Sequence, residues 1–218
     1  MRTATQYLHR LCLPLSLLLF ATASWETRVL ADTITLVSGG GGSVGSADPI
    51  TDVSINGGAT YQDAIVMSPS SNYDTIPGTQ WISDNSSGFG NIDAVLLFRV
   101  TFQLPAGYSN PQLSLSVHAD NVATGILNNV EIGGQPYAEI FSNFQNPPET
   151  LTATNPALFQ VGQNVLMIKV FNFNDPAGLD YKATITFDQI PEPSAAALVG
   201  ASLLSGLVAR RIRLLRRL

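Results

Sequence analysis

Two runs of this chain alternate with period two along most of their length. In AVLLFRVTFQL, residues 94–104, Phe98, Val100, Phe102 and Leu104 alternate with Arg99, Thr101 and Gln103. In QLSLSVHA, residues 112–119, Leu113, Leu115 and Val117 alternate with Ser114, Ser116 and His118. Successive strand side chains point to opposite faces, so each run predicts a strand with one buried face and one wet face. On this pattern His118 is expected on the surface. Further strand-like runs are TITLV (33–37), DAIVM (63–67), NVLMIKVFNF (164–173) and YKATITF (181–187). Gly, Asn, Ser and Thr separate them, and no long amphipathic helix falls between residues 32 and 188. Short alternating strands at such spacing predict an all-β sandwich. LNNVEIGG (127–134) reads as a tight hairpin, with Asn128 and Asn129 able to take positive φ. Asn155-Pro156 predicts a single helical turn, with Gly162 placed to end it.

Charge excludes one class of partner. Between Asp32 and Ile190 there are three basic residues, Arg99, Lys169 and Lys182, against fourteen Asp and Glu, a balance of −11. A body of that sign repels phosphate backbones, so no nucleic-acid partner is expected. The chain has one cysteine, Cys12, so no disulfide can form within it and the fold rests on its apolar core.

The two ends differ from the body. Arg2, His9 and Arg10 precede the apolar run LCLPLSLLLFATA (11–23), the pattern of a secretory signal peptide. Two small-residue cleavage sites follow, one ending at Ala23 and one ending at Ala31. Ala31 is preferred, because the strand-like DTITLVS then opens the mature chain. An uncleaved anchor is the alternative. At the other end, residues 194–209 carry no charge and would span about 24 Å as a helix. Arg210, Arg211, Arg213, Arg216 and Arg217 follow and would hold that end in the cytoplasm. The predicted organisation is signal peptide 1–31, β-sandwich domain 32–189 and terminal segment 190–218.

The triplet Pro191-Glu192-Pro193, the apolar run with its late Gly206-Leu207 and the terminal arginines resemble the PEP-CTERM sorting signal of Gram-negative bacteria. Ile190 stands where that signal often has valine. The resemblance implies an exosortase-type processing enzyme as partner and cleavage near the triplet. It also implies an inner-membrane-anchored precursor with a periplasmic domain, then a fate at the cell surface or in the extracellular matrix. A plain tail anchor would account for the apolar run and the arginines but not for the triplet.

The body carries a second resemblance. FRVTFQLP, LSLSVHADNVATGILNN and LFQVGQNVLMIKVFN are similar, in order, to the galactose-binding-like jelly-roll, a lectin-like module. The matching positions are Phe102–Pro105, Ala119–Asn121, Asn128–Asn129 and Gly162–Leu166, with Asn129 in place of the usual hairpin glycine. These are scaffold features and speak to fold more than to ligand.

Several motifs fit known chemistry only in isolation. GGGSVG (40–45) matches a dinucleotide fingerprint, and residues 41–45 match a nucleophile elbow. Both need a helix directly afterwards, and SADPITDV with Pro49 follows instead. His118 is the one histidine after residue 31, so a transition-metal site or a histidine triad has too few ligands. The loop acids Asp84, Asp93, Asp120, Glu131, Glu139, Asp175 and Asp180 suit a solvated surface. No catalytic group and no cofactor are therefore expected. A structural Ca²⁺ in SDNSSGFGNID (83–93) stays open, since that loop is rich in oxygen ligands but lacks EF-hand spacing.

Two functions follow. One is an exported domain that binds extracellular polysaccharide, the other a structural or adhesion protein that binds no sugar. For the first, sugars rest on aromatic rings and are fixed by amides and carboxylates. Trp81, Asp84 and Asn85, with Tyr137, Glu139, Phe141 and the neighbouring Phe144, make the candidate platform. The alternative places Trp81-Ile82 on an inward strand and uses Phe141 and Phe144 as core plugs.

Overall fold

The computed structural model describes residues 30–136, 143–145 and 147–189, which form one compact unit, Leu30–Gln189. The signal peptide, the Pro191-Glu192-Pro193 triplet, the terminal apolar run and the arginines from Arg210 lie outside the described residues, as do Ala23, Tyr137, Glu139 and Phe141. Among the described residues no helix is long and apolar enough to cross a membrane.

Among the described residues eleven strands follow in chain order: β1 (Leu30–Val37), β2 (Ala47–Ser54), β3 (Gln62–Val66), β4 (Ile82–Ser83), β5 (Ala94–Leu104), β6 (Tyr108–Asp120), β7 (Val122–Leu127), β8 (Val130–Gly134), β9 (Glu149–Ala153), β10 (Gly162–Asn172) and β11 (Gly178–Gln189). They pair in the order β8-β7-β10-β5-β2-β3-β4-β11-β6-β9, with β1 alongside β11. Every pairing is antiparallel. Along this path β5, β10, β6 and β11 turn their apolar rows toward one shared core.

The two alternating runs become β5 and β6. Along β5, Leu96, Phe98, Val100, Phe102 and Leu104 are buried, and Arg99 points outward to pair with Asp52 at 2.6 Å. Eleven consecutive residues of β5 lie in register with β10, which buries Leu166, Ile168 and Val170. A polar contact also joins β2 to β11, where the Tyr181 hydroxyl meets Thr51 Oγ1 at 2.9 Å. The hairpin is as expected: Asn128 and Asn129 have φ of 48° and 69°, and β8 begins directly after them. Pro156–Leu158 is a single 3-10 turn capped by the Asn155 side chain. Gly162 does not end that turn but opens β10.

The structure adds strands that the pattern did not mark. β2 contains Pro49 and a buried Asp48, and lies between β3 and β5. Asp48 is tolerated because its carboxyl accepts the backbone N–H of Gly39, Ile50 and Thr51. The glycine-rich loop before β2, with positive φ at Gly39, Gly40 and Gly41, thus lets the chain close over an internal carboxyl group.

Truncating a core residue tests this register. Leu115→Ala and Leu166→Ala are each expected to cost about 2–5 kcal/mol in chemical denaturation, while outward Thr101→Ala should cost less than about 0.5 kcal/mol. Equal, small losses at all three positions would show that the register is wrong.

Candidate functional site

Between β3 and β4 the chain makes a long strap, residues 67–81, closed at its base where Met67 N donates to Trp81 O at 2.9 Å. The strap lies over the outer side of β6 and β11. Its middle is fixed by Ile76 N, which donates to Asp180 Oδ2 at 2.8 Å, and the other oxygen of Asp180 accepts from Ser38 Oγ. Trp81 ends the strap 1% exposed, stacked on the His118 ring with centroids 6.1 Å apart and planes 6° apart. Its indole N–H donates to Asp74 O at 2.8 Å. Gly178 at the start of β11 has no room for a Cβ, which would fall 2.7 Å from the Met67 sulfur and 3.0 Å from the Trp81 ring.

Two sequence expectations change here. Trp81 is buried and offers no open ring to a ligand, but it precedes β4 and packs on the outer side of β6 rather than on an inward strand. His118 does point outward from the strand, yet it is 1% exposed, because the strap covers it and Asp180 Oδ2 sits 3.5 Å from its Nδ1.

Next to this packing, an open cleft of about 240 Å³ is lined by Ser70, Asn72, Tyr73, Asp120, Asn121, Phe144, Asn174, Asp175 and Pro176. Four chain segments build it: the strap, the β6–β7 junction, the stretch around Phe144 between β8 and β9, and the β10–β11 loop. Tyr73 leans against Trp81 and Phe144, with ring centroids at 4.6 and 4.7 Å. Phe144 is held by a backbone bond from Asp74 N to its carbonyl at 2.8 Å. At the base of the cleft the Tyr73 hydroxyl and the Asn121 side-chain amide both donate to Asp120. Asn121 in turn accepts Phe173 N on Oδ1 at 2.7 Å and Asn143 Nδ2 on its carbonyl at 2.9 Å. Asp175 forms the rim, where its carboxyl accepts the N–H groups of Gly90 and Asn91 at 3.0 Å. Among the described residues no lining residue is basic.

Burial sets the protonation of this pair. Asp120 is 5% exposed, and desolvation pushes its carboxyl up from 3.8 to about 6, against the hydrogen bonds from Tyr73 and Asn121 that favour the charged form. Burial and the neighbouring Asp120 hold the Tyr73 hydroxyl far above the usual phenol range, so it remains a donor.

Asp84 and Asn85 do not line the cleft. They close their own loop: Asp84 Oδ1 accepts from Ser83, Asn85 and Asn91, and Asn85 Oδ1 accepts from Ser87 and Gly88. Asp84 Oδ1 and Asn85 Oδ1, two of the oxygens considered for calcium in residues 83–93, thus meet internal donors. Among the described residues no group of three or more His, Cys, Asp or Glu is placed to hold a metal ion. Of the candidate aromatics, Phe144 reaches the cleft. Tyr73, Asn72 and Asn174 were not singled out from sequence, since no local period marks strap residues that become a wall.

The cleft and the ends of the unit lie at opposite poles. It borders the start of β11, whereas Leu30 pairs with Gln189 at the other end of that strand. Eleven rises of ~3.3 Å separate the two poles by about 36 Å. Ala31 sits at the terminal pole, opposite Asp188.

No protein-family model matches the chain, and no curated protein does. Among solved structures, a family 35 carbohydrate binding module from Clostridium thermocellum aligns over 69% of this chain and 97% of its own, at 9% identity and a TM-score of 0.40. A family 35 module from an environmental isolate aligns over 64% and 98%, at 14% identity and a TM-score of 0.36. An FMN-binding beta-glucuronidase of Facaelibacterium prausnitzii L2-6 aligns over 72% of this chain at 14% identity and a TM-score of 0.41. The match takes in only 23% of that enzyme. At these TM-scores the likenesses carry no inference about ligand or activity.

The raised Asp120 carboxyl gives a pH signature. The folded state holds this proton more tightly than the unfolded chain, so its stabilising effect is complete below about pH 4 and is lost as pH rises through about 6. Asp120→Asn should therefore melt higher relative to wild type at pH 7 than at pH 4. Melting curves that shift in parallel at both pH values would place Asp120 in water.

Proposed function

We propose that this chain is an exported, non-catalytic protein whose β-sandwich, of the galactose-binding-like jelly-roll type, binds carbohydrate in the cleft between Tyr73, Phe144 and Asp120. The observation that carries this reading is the composition of the cleft. It sets an aromatic wall, Tyr73 and Phe144, against amides and carboxyls, Asn72, Asn121, Asn174 and Asp175. Apolar sugar faces suit the first and hydroxyl groups the second. The volume of about 240 Å³ suits one sugar ring, not a long buried chain. The carboxyl of Asp175 is engaged by two backbone N–H groups, and that of Asp120 by Tyr73 and Asn121. Such occupied groups suit binding better than the acid and base roles of a glycosidase.

The sorting reading rests on the residues beyond Gln189. In it, Pro191-Glu192-Pro193 and the arginines from Arg210 direct the protein to an exosortase-type enzyme, first at the inner membrane and then to the surface or extracellular matrix.

Two measurements test the two halves separately. Full-length protein applied to a glycan array should retain at least one polysaccharide or oligosaccharide. The exposed-residue variants Asn72→Ala and Asn174→Ala should weaken that retention about tenfold, roughly one hydrogen bond to a charged or well-placed group, with unchanged melting temperature. Retention of no glycan would favour a structural or adhesion role. Mass spectrometry of the surface fraction from native cells should find no peptide beyond about Pro193, and an intact peptide ending at Leu218 would contradict the sorting reading.

A further inference from the structure

We infer that the sugar held in the cleft carries a protonated amine, so that the ligand class is a glycan with free, non-acetylated amino groups. This inference rests on the carbohydrate reading above and narrows it.

The ground is charge and its surroundings. Among the described residues the cleft presents two carboxyl groups, Asp120 at its base and Asp175 at its rim, and no basic lining residue. The three basic side chains among the described residues lie elsewhere. Arg99 on β5 is occupied by Asp52 and rests on the Tyr61 ring, its guanidinium carbon 3.9 Å from the ring centre. Lys169 lies on β10 in register with Leu97, and Lys182 lies on β11 between Val37 and Ser116. Asp120 thus lies in an open cleft, largely out of water, with neutral donors as its hydrogen-bond partners. A carboxylate can accept more than one bond on each oxygen, so capacity remains for a ligand donor. An ammonium group there would supply the countercharge that the protein does not, in a setting where a charge-assisted bond is strongest. Tyr73 and Phe144 add aromatic walls, whose electron-rich faces attract cations and repel carboxylates. A uronate or a sulfated sugar would meet like charge at both ends of the cleft, within a domain of strongly negative balance.

The test compares two probes that differ only at nitrogen: a β-1,4-glucosamine oligosaccharide and its N-acetylated counterpart of equal length. Titration calorimetry on the full-length protein at about pH 6.5 should show the free-amine form binding at least about tenfold tighter. That preference should shrink when salt rises from about 0.05 M to about 0.5 M. It should also shrink in Asp120→Asn, which keeps the shape and hydrogen bonding of the side chain but removes its charge. Equal or tighter binding of the acetylated probe overturns the inference while leaving carbohydrate binding intact. The same holds if neither probe binds but another glycan on the array does. If no glycan binds at all, the carbohydrate reading fails and the inference fails with it.

Discussion

The Asp180 carboxyl group organises the functional end of this domain. It is fully buried on β11, 104 residues from one partner and 142 from another. One oxygen takes Ser38 Oγ at the end of β1, the other takes Ile76 N in the strap, and His118 of β6 faces it. A buried carboxyl without such partners would cost several kcal/mol, so the strap is held wherever this group is satisfied. Once the strap is seated, Trp81 has its stack on His118 and Tyr73 has its place over Asp120. The cleft is thus a by-product of how one internal polar group is met.

Local pattern revealed the scaffold because scaffold physics is local. The period-two run at 94–104 matches β5 residue for residue, and the Asn128-Asn129 pair gives the positive-φ turn that its side chains permit. β2 was hidden because a proline and a buried aspartate interrupt its alternation. The candidate site was less legible. Trp81 and His118 carry no local sign that the strap will cover them, and Asp84 and Asn85 spend their oxygens on their own loop. The cleft joins residues near 72, 120, 144 and 175, and only the folded sheet brings these positions together.

The arrangement also gives the domain a direction. β1 and β11 run antiparallel, so the chain enters and leaves at one pole while the cleft opens at the other. The body is acidic and its few cations sit away from the cleft. A domain so arranged favours a neutral or cationic ligand at its far end and repels anionic polymers over most of its surface.

Amide chemical-shift mapping during titration with a retained glycan tests the central claim most directly. Shifts concentrated at Asn72, Tyr73, Asn121, Asn174 and Asp175 are the expected result. Shifts centred instead on the smaller hollow formed by Ile55, Thr60, Tyr61 and Gln62 would contradict it.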